Sequence, residues 1–364
     1  MDILLMYGGK SCEHDVSVVT AKQVLSQIKG RVYEVYVTKD GVWKLAENMP
    51  YPQDFANEKK VEKLKNLVMY PGDKTLYQKV GRRLKKVCQP DVAVLCFHGV
   101  NGEDGSVQGL LQLCDVVYTS CGVGASSLSM DKSLCKTFLK GMGAPVVEGL
   151  TFFKDDVDKN MFDQVRQKLG YPVIVKPANL GSSIGISVAQ NDDDFAIALH
   201  TALGFDNKVL VERVVKDCFD VNISVFKSGG KIFASALEKP LKWQDFLTFD
   251  DKYSGAKSSM VQAKREFPFE CKFGEQICFW AKEIYAQMDC KGVVRIDFLV
   301  NDDSFFVNEI NTIPGSFAYY LWRDNFDFAT LVQMQIDEGI KEQKQKEKLK
   351  FLYESKVLSG CGKK

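Results

Sequence analysis

The sequence predicts an α/β protein of more than one domain, turning to α+β in its C-terminal part, and three observations carry that expectation. The chain opens as strand, glycine loop and helix: residues 3–7 are a short apolar run, Gly8-Gly9 follows, and Ala21, Val24, Leu25 and Ile28 mark one helical face. A second apolar strand, residues 92–97, runs into HGVNGEDG, a glycine-rich loop of the kind found at the carboxyl ends of strands in open α/β sheets. Residues 293–315 read as two strands joined by a tight polar turn. At 364 residues the chain exceeds one typical domain, so two or three are expected.

The intervening elements follow in order. Residues 32–38 and 42–45 flank Asp40-Gly41, a two-residue hairpin signal. Residues 46–90 are polar and lysine-rich and read as a helix and loops on the first domain. The chain turns near residues 118–124, and an amphipathic helix is expected over 129–139, closed by Gly141 or Gly143 before Pro145. Strands at 171–177 and 186–188 enclose ANLGSSIG. A helix around 194–203 leads to a strand at 209–211, and 220–226 and 231–237 read as an antiparallel pair. Residues 243–260 read as a long polar loop of the length used for binding loops and lids. The apolar positions Ile277, Trp280, Ala281, Ile284, Tyr285 and Met288 then trace a helix face.

Hydrophobic residues make up 45% of the chain and charged residues 26%, ordinary values for a protein with a substantial core. A net charge of +1 gives no case for nucleic acid or membrane as a general partner, so an anionic ligand must be held by local geometry. The first residues lack a basic stretch and a long apolar run, and no later run reaches the roughly 18 residues of a membrane span, so a cytoplasmic protein is expected. The 11 cysteines show no CxxC or Cys/His metal spacing and read as free, largely buried thiols.

The chemistry is concentrated in residues 293–315. Val294, Ile296 and Phe298 alternate with Arg295 and Asp297, and Phe306, Asn308 and Ile310 alternate with Val307, Glu309 and Asn311. Adjacent strands would bring Asp297, Glu309 and Asn311 together, an oxygen set suited to a hard cation against a nucleotide. The residues alone equally allow a surface hairpin with solvated acids. Backbone N–H groups of the Gly-Ser loop could close over phosphates that Lys176 neutralises, although an ordinary hairpin has the same composition. It is not a Walker loop, because GxxxxGK[ST] is absent and a strand follows.

Taken together, GGKSCEHDVS, HGVNGEDGSVQG, SLSMDK, VIVKPANLGSSIG, VLVER, the Lys252-Tyr253 pair, and RIDF followed by NEINTIPG occur in the order in which they occur in the D-alanine–D-alanine ligases of the ATP-grasp group, which the chain resembles from residue 4 to about 340. The resemblance implies a three-domain ATP-grasp architecture: an N-terminal substrate-binding α/β domain over 1–120, a central ATP-grasp domain over 121–212, a catalytic one over 213–345, and a charged tail over 346–364. It implies ATP-dependent joining of two D-alanines through D-alanyl phosphate for peptidoglycan precursors, with ATP and Mg²⁺, or Mn²⁺, in a cytoplasmic homodimer. By position, Glu13 would hold the ammonium of the first D-alanine and His98 would line that site. Lys132 and Lys176 would meet the ATP phosphates beneath a loop of Gly181, Ser182 and Ser183. Glu212 would read the adenine amino group, Asp220 the ribose, and Lys252 the γ-phosphate, while Tyr253 joins Glu13 and Ser182. Arg295 would stabilise the tetrahedral intermediate, and Asp297, Glu309 and Asn311 would hold metal.

Departures from the family pattern also stand in the chain. Leu247 and Phe249 replace frequent tyrosines, and Tyr320-Leu321 stands where many members have the Ser-Leu pair that binds the second substrate's carboxylate. D-Alanyl-D-serine synthesis is therefore an alternative, and a non-catalytic nucleotide-binding relative is a more distant one.

Overall fold

The computed structural model describes residues 1–241, 265–350, 355 and 357. Its first sheet has seven strands: β1 (Asp2–Gly8), β2 (Arg31–Val37), β3 (Trp43–Leu45), β4 (Lys65–Tyr70), β5 (Asp73–Val80), β6 (Arg83–Cys88) and β7 (Val92–Leu95), in the order β6-β5-β4-β3-β2-β1-β7. β1 pairs in parallel with both β2 and β7. Paired on both sides and covered on both faces, it is apolar over residues 3–7, which are fully buried. Helix α1 (His14–Leu25) packs against it; α2 (Glu58–Glu62) and α3 (Ser106–Leu113) belong to the same part. Gly8 has φ +93°, and a Cβ there would lie 2.1 Å from the Val37 carbonyl oxygen, so the turn from β1 into α1 demands glycine.

Residues 46–90 hold the expected helix as α2, but the remainder is not loop, because β4, β5 and β6 form an antiparallel meander that extends the sheet. Its turns fall at Pro71-Gly72 and Gly81-Arg82, and Leu67 and Leu76 face the core. The lysines and arginines on the opposite face and at the exposed edge hid that alternation.

The middle of the chain comprises α4 (Val123–Met130), α5 (Lys132–Gly141), β8 (Gly149–Phe153), α6 (Lys159–Gln164), β9 (Val173–Pro177), β10 (Ser187–Ala189), α7 (Asp192–Leu203) and β11 (Lys208–Arg213). The four strands form an antiparallel sheet ordered β10-β9-β11-β8. The helix expected over 129–139 is in fact the junction of two. Asp131 leaves helical geometry and its carboxylate accepts the Ser133 and Leu134 N–H groups, which starts α5 at Lys132.

The third sheet contains β12 (Phe219–Ser228), β13 (Lys231–Ala234), β14 (Leu237–Pro240), β15 (Arg265–Phe269), β16 (Val294–Val300) and β17 (Phe305–Asn311), ordered β15-β14-β12-β16-β17 with β13 also on β12. Helix α8 (Gly274–Gln287) covers its apolar face through Ile277, Ala281, Ile284 and Tyr285. A 3-10 turn, Gly315–Leu321, and helix α9 (Phe328–Lys346) follow.

The described residues form three apolar cores. One lies under the first sheet and takes in Trp322, Leu331 and Ile336 from the C-terminal part. A second joins the third sheet and α8 to Cys121, Ala125, Cys135 and Leu139 of the α4–α5 region. The third fills the four-stranded sheet. Cys96, Cys114, Cys121 and Cys135 are among the buried free thiols. Among the described residues no helix is long and apolar enough to cross a membrane.

Candidate active site

The antiparallel register of the third sheet sets one face of the site. Glu238 lies opposite Asn222, Asn222 opposite Asp297, and Asp297 opposite Glu309, so four strands carry a continuous polar row. Asp220 is two residues before Asn222 and on the same face, and Arg295 pairs with Asn311 in the next row. The turn between β16 and β17 closes on Asn301, whose side-chain oxygen accepts the N–H groups of Asp303 (3.1 Å) and Ser304 (2.9 Å).

The expected alternation holds along β16 and fails along β17. A register shift after Asp297 places Val307, not Asn308, opposite Phe298, so Val307 and Ile310 both enter the core although they are three residues apart. The bulge turns Asn308 toward Lys176, with its Oδ1 3.4 Å from the ammonium. Glu309 and Asn311 stay on the polar face that the two-residue period assigns to them.

Arg295 does not stand apart from the carboxylates. Its guanidinium donates to both oxygens of Asp297, each at 2.7 Å, and Asn311 Nδ2 donates to Asp297 Oδ2 at 3.0 Å. Residues i and i+2 share a strand face, which makes this pairing a direct result of the RID spacing. Burial raises the Asp297 carboxyl, Arg295 opposes that shift, and Glu309 reinforces it.

His98, buried at the exit of β7, has its Nε2 3.0 Å from Thr20 Oγ1 on α1. Burial, and then the Arg295 charge, lowers its pKa to about 4, so the ring is neutral at neutral pH. Five residues on, Glu103 accepts the N–H of Gly99 at 2.8 Å and that of Ile313 at 3.1 Å, tying the glycine loop to the chain just beyond β17. Its carboxyl is pushed up to about 8 by burial and then by the charge of Glu13.

Glu13 sits at the start of α1 and accepts a hydrogen bond from the Ser182 hydroxyl, across 169 positions of sequence. A Cβ on Gly181 would lie 2.5 Å from Glu13 Oε2, so a larger residue there would displace the Glu13 carboxylate. Ser182 and Ser183 both have positive φ, 53° and 59°, a conformation sparsely adopted by non-glycine residues and concentrated at functional loops. Lys132, the first residue of α5, donates from its ammonium to the Leu180 carbonyl at 2.6 Å. Glu13, Glu103, Lys132, Ser182, Glu309 and Asn311 line one cavity.

Deeper in the cleft, the Glu212 carboxylate is 1% exposed. Lys176 meets its Oε2 at 2.6 Å and Lys136 its Oε1 at 3.0 Å. Burial alone would raise this carboxyl, but the two ammonium groups outweigh it and hold it down to about 2.

Tyr320 lies in the turn after β17 with the Arg265 guanidinium 4.1 Å from its ring centre, while Arg265 also pairs with Glu238 at 3.1 Å. Burial pushes the Tyr320 hydroxyl up to about 12. Leu321 is fully buried in the first core. Upstream, Ser316, Phe317 and Ala318 have φ of 50°, 52° and 47°, three successive left-handed residues held against α1 through Thr20 and Gln23. Lys252 and Tyr253 lie outside the described residues.

Glu103, Lys136, Asn222, Glu238 and Arg265 were not among the residues expected at the site. Asn222 and Glu103 had a signal: Asp220, Asn222 and Ser224 alternate along a strand that pairs with RID, and Glu103 is inside the glycine loop. The others are recognisable only through register and packing.

The oxygen donors of Asp297, Glu309 and Asn311 fit a hard cation in kind, two carboxylates and one amide. Cation binding requires Asp297 to exchange part of its pairing with Arg295 and Asn311.

Comparison with known proteins matches these pieces as a set. A family model described as D-ala D-ala ligase N-terminus matches residues 2–121, and one described as D-ala D-ala ligase C-terminus matches residues 138–336. The D-alanine--D-alanine ligase of Thermosipho melanesiensis is 36% identical over 359 residues, covering 95% of each chain. That of Staphylococcus haemolyticus is 34% identical over 366 residues, covering 96% of this chain and 98% of the other. The solved D-alanine-D-alanine ligase of Coxiella burnetii superposes with a TM-score of 0.79 over 96% of both chains at 23% identity, a likeness of fold. The three-sheet layout is thus the ATP-grasp architecture, and with both family models and full-length relatives matching, the chain belongs to the D-alanine–D-alanine ligase family.

Proposed function

We propose that this protein joins two D-alanines to D-alanyl-D-alanine at the expense of ATP, by way of D-alanyl phosphate, in peptidoglycan precursor synthesis. The observation that carries the reading is the single cavity in which Glu13, Glu103, Lys132, Ser182, Glu309 and Asn311 converge from all three parts of the chain. A small amino acid fits beside Glu13 and neutral His98, where its ammonium meets a carboxylate and no competing positive imidazole. Glu212 reads the adenine amino group, Asp220 takes the ribose, and Lys132 and Lys176 meet the phosphates under Gly181, Ser182 and Ser183. Lys252 and Tyr253 complete the set by resemblance.

A carboxylate resists nucleophiles, so the first D-alanine is activated: its carboxylate oxygen takes the γ-phosphoryl group and ADP leaves. Phosphoryl transfer depends chiefly on positioning and charge neutralisation. Mg²⁺ or Mn²⁺ held by Asp297, Glu309 and Asn311 would supply part of that neutralisation. The amine of the second D-alanine then attacks the acyl carbon, and phosphate departs as the oxyanion collapses. Arg295 stabilises that oxyanion; its pairing with Asp297 fixes the guanidinium on the polar face. Tyr320 borders the second amino acid, and Leu321, fully buried in the first core, supports the turn from behind. The protein is read as a cytoplasmic homodimer acting on small molecules, with domains over 1–120, 121–212 and 213–345.

The second substrate is D-alanine, as in the relatives named above; D-serine is the disfavoured alternative. Incubation with ATP, Mg²⁺ and equal D-alanine, D-serine and D-lactate, followed by mass analysis, tests this. D-alanyl-D-alanine should dominate and appear with equimolar ADP. A folded protein that makes no product from all components overturns the reading.

A further inference from the structure

Lys136 lies one helical turn after Lys132 on α5, and its residue is only 8% exposed. An ammonium so deeply buried needs both its charge and its donors matched, and here its partners stand on two different sheets. Nζ is 3.0 Å from Glu212 Oε1, on β11 of the four-stranded sheet. Its hydrogen bond runs elsewhere, at 2.8 Å to the carbonyl oxygen of Val307, on β17 of the third sheet. Val307 precedes the bulge that aims Asn308 at Lys176 and leaves Glu309 and Asn311 on the polar face. Lys136 therefore spans the cleft floor between the residue proposed to read the base and the strand proposed to hold the metal.

The two lysines on Glu212 differ in what else they can do. Lys176, at the end of β9, is bound to Glu212 and Asn308 side chains and is proposed to serve the phosphates once nucleotide enters. Every move of Lys176 toward a phosphate withdraws charge from a buried carboxylate. Lys136 is anchored to a backbone carbonyl and does not face that demand. If it were absent, Glu212 would be left buried with one mobile counter-charge, and a protonated Glu212 would donate toward a base rather than only accept from it.

Resting on the assignment of Glu212 to adenine, we infer that Lys136 is a positioning residue for nucleotide selection: it keeps Glu212 an aligned acceptor for a 6-amino purine and sets its distance from β17. Lys136→Met preserves side-chain length and removes the charge and the donor. Lys136→Gln keeps a donor for Val307 without a charge for Glu212.

The experiment measures kcat and KM for ATP and for ITP, whose 6-oxo group inverts the donor pattern, at saturating D-alanine, with thermal melts of each protein. In Lys136→Met, KM for ATP is expected to rise about tenfold or more, with kcat within about threefold, as removal of one partner of a buried charge implies. The preference for ATP over ITP in kcat/KM should fall by a similar factor, and KM for D-alanine should stay within about twofold. Lys136→Gln should lose the same preference while melting closer to the unsubstituted protein. A folded variant with unchanged ATP-to-ITP preference overturns the inference, and so does equal loss toward both nucleotides, the mark of a general structural tie. If neither variant folds, Lys136 is structural and the inference fails. An unsubstituted protein without ligase activity would instead remove the underlying assignment.

Discussion

The two ends of the cleft are built in opposite ways. At the proposed nucleotide end, Glu212, Lys176 and Lys136 stand on regular strands and a helix, and the carboxylate is neutralised by ammonium groups on both sides. At the proposed acceptor end, Tyr320 follows three residues in left-handed geometry, each costing about 1–2 kcal/mol, and against its ring lies the Arg265 guanidinium, itself paired with Glu238. The first end is over-determined by charge and register. The second is held by packing of an irregular turn against α1, and it is where the chain departs from its family's usual residues.

The largest expected effect falls between the two ends, at Arg295. Arg295→Ala should lower kcat roughly 100- to 1000-fold, the usual loss when one oxyanion donor is removed, with ATP affinity little changed. Steady-state rates with equilibrium binding of a non-hydrolysable ATP analogue would show this. Equal loss in both would mean that Arg295 serves mainly to neutralise Asp297, and the division between the ends would need redrawing.

At the nucleotide end, Glu212→Gln leaves two buried ammonium groups without their counter-charge. Removal of one partner from a buried ion pair costs about 3–5 kcal/mol, so a drop of that order in unfolding free energy is expected. Urea denaturation checks it. A loss under about 1 kcal/mol would show that water reaches the cluster and that the end is less rigid than its contacts suggest.

The pocket proposed for the first D-alanine offers a pH test through His98. Its folded pKa, about 4, lies below an unfolded value near 6.5, so between these pH values the unfolded chain takes up a proton that the folded chain refuses. Stability contributed at this position is therefore present above pH 6.5 and lost as pH falls toward 4, by roughly 2 kcal/mol at pH 5. His98→Gln should flatten that part of the stability–pH curve. Parallel curves for the two proteins would place the buried imidazole in contact with water.

The same contrast governs what the sequence discloses. Arg295 and Asp297 are legible because a two-residue period survives along β16, and Gly181 to Ser183 because glycine and serine mark a loop between two strands. Asn308 is misread, because a bulge adds one residue to β17 and no local signal marks it. Residues 46–90 are misread for a different reason: the meander has one apolar face, but its basic outer face dominates the composition. Lys136 looks like any solvated helix lysine until β17 supplies the carbonyl that it reaches. Long-range partners, not propensities, decide these residues. The family order of motifs carries the Glu13 to Ser182 pairing, whose 169-residue separation lies beyond any periodicity.

The smallest expected effect tests whether the two ends are separable at all. Tyr320→Ser restores the family's common residue and removes the ring beneath Arg265, a contact worth about 0.5–1 kcal/mol at a partly exposed site. Arg265 keeps its pairing with Glu238, so the pocket should relax and not collapse. KM for the second D-alanine should shift by about three- to fivefold, with KM for ATP within about twofold, because Tyr320 touches none of the Glu212 cluster. Competition between D-alanine and D-serine for the second position then reports the direction of the change: an altered product ratio makes Tyr320 part of acceptor selection. An unchanged ratio together with a raised KM for ATP would mean that the turn after β17 transmits its strain along that strand to the nucleotide, and that the two ends act as one.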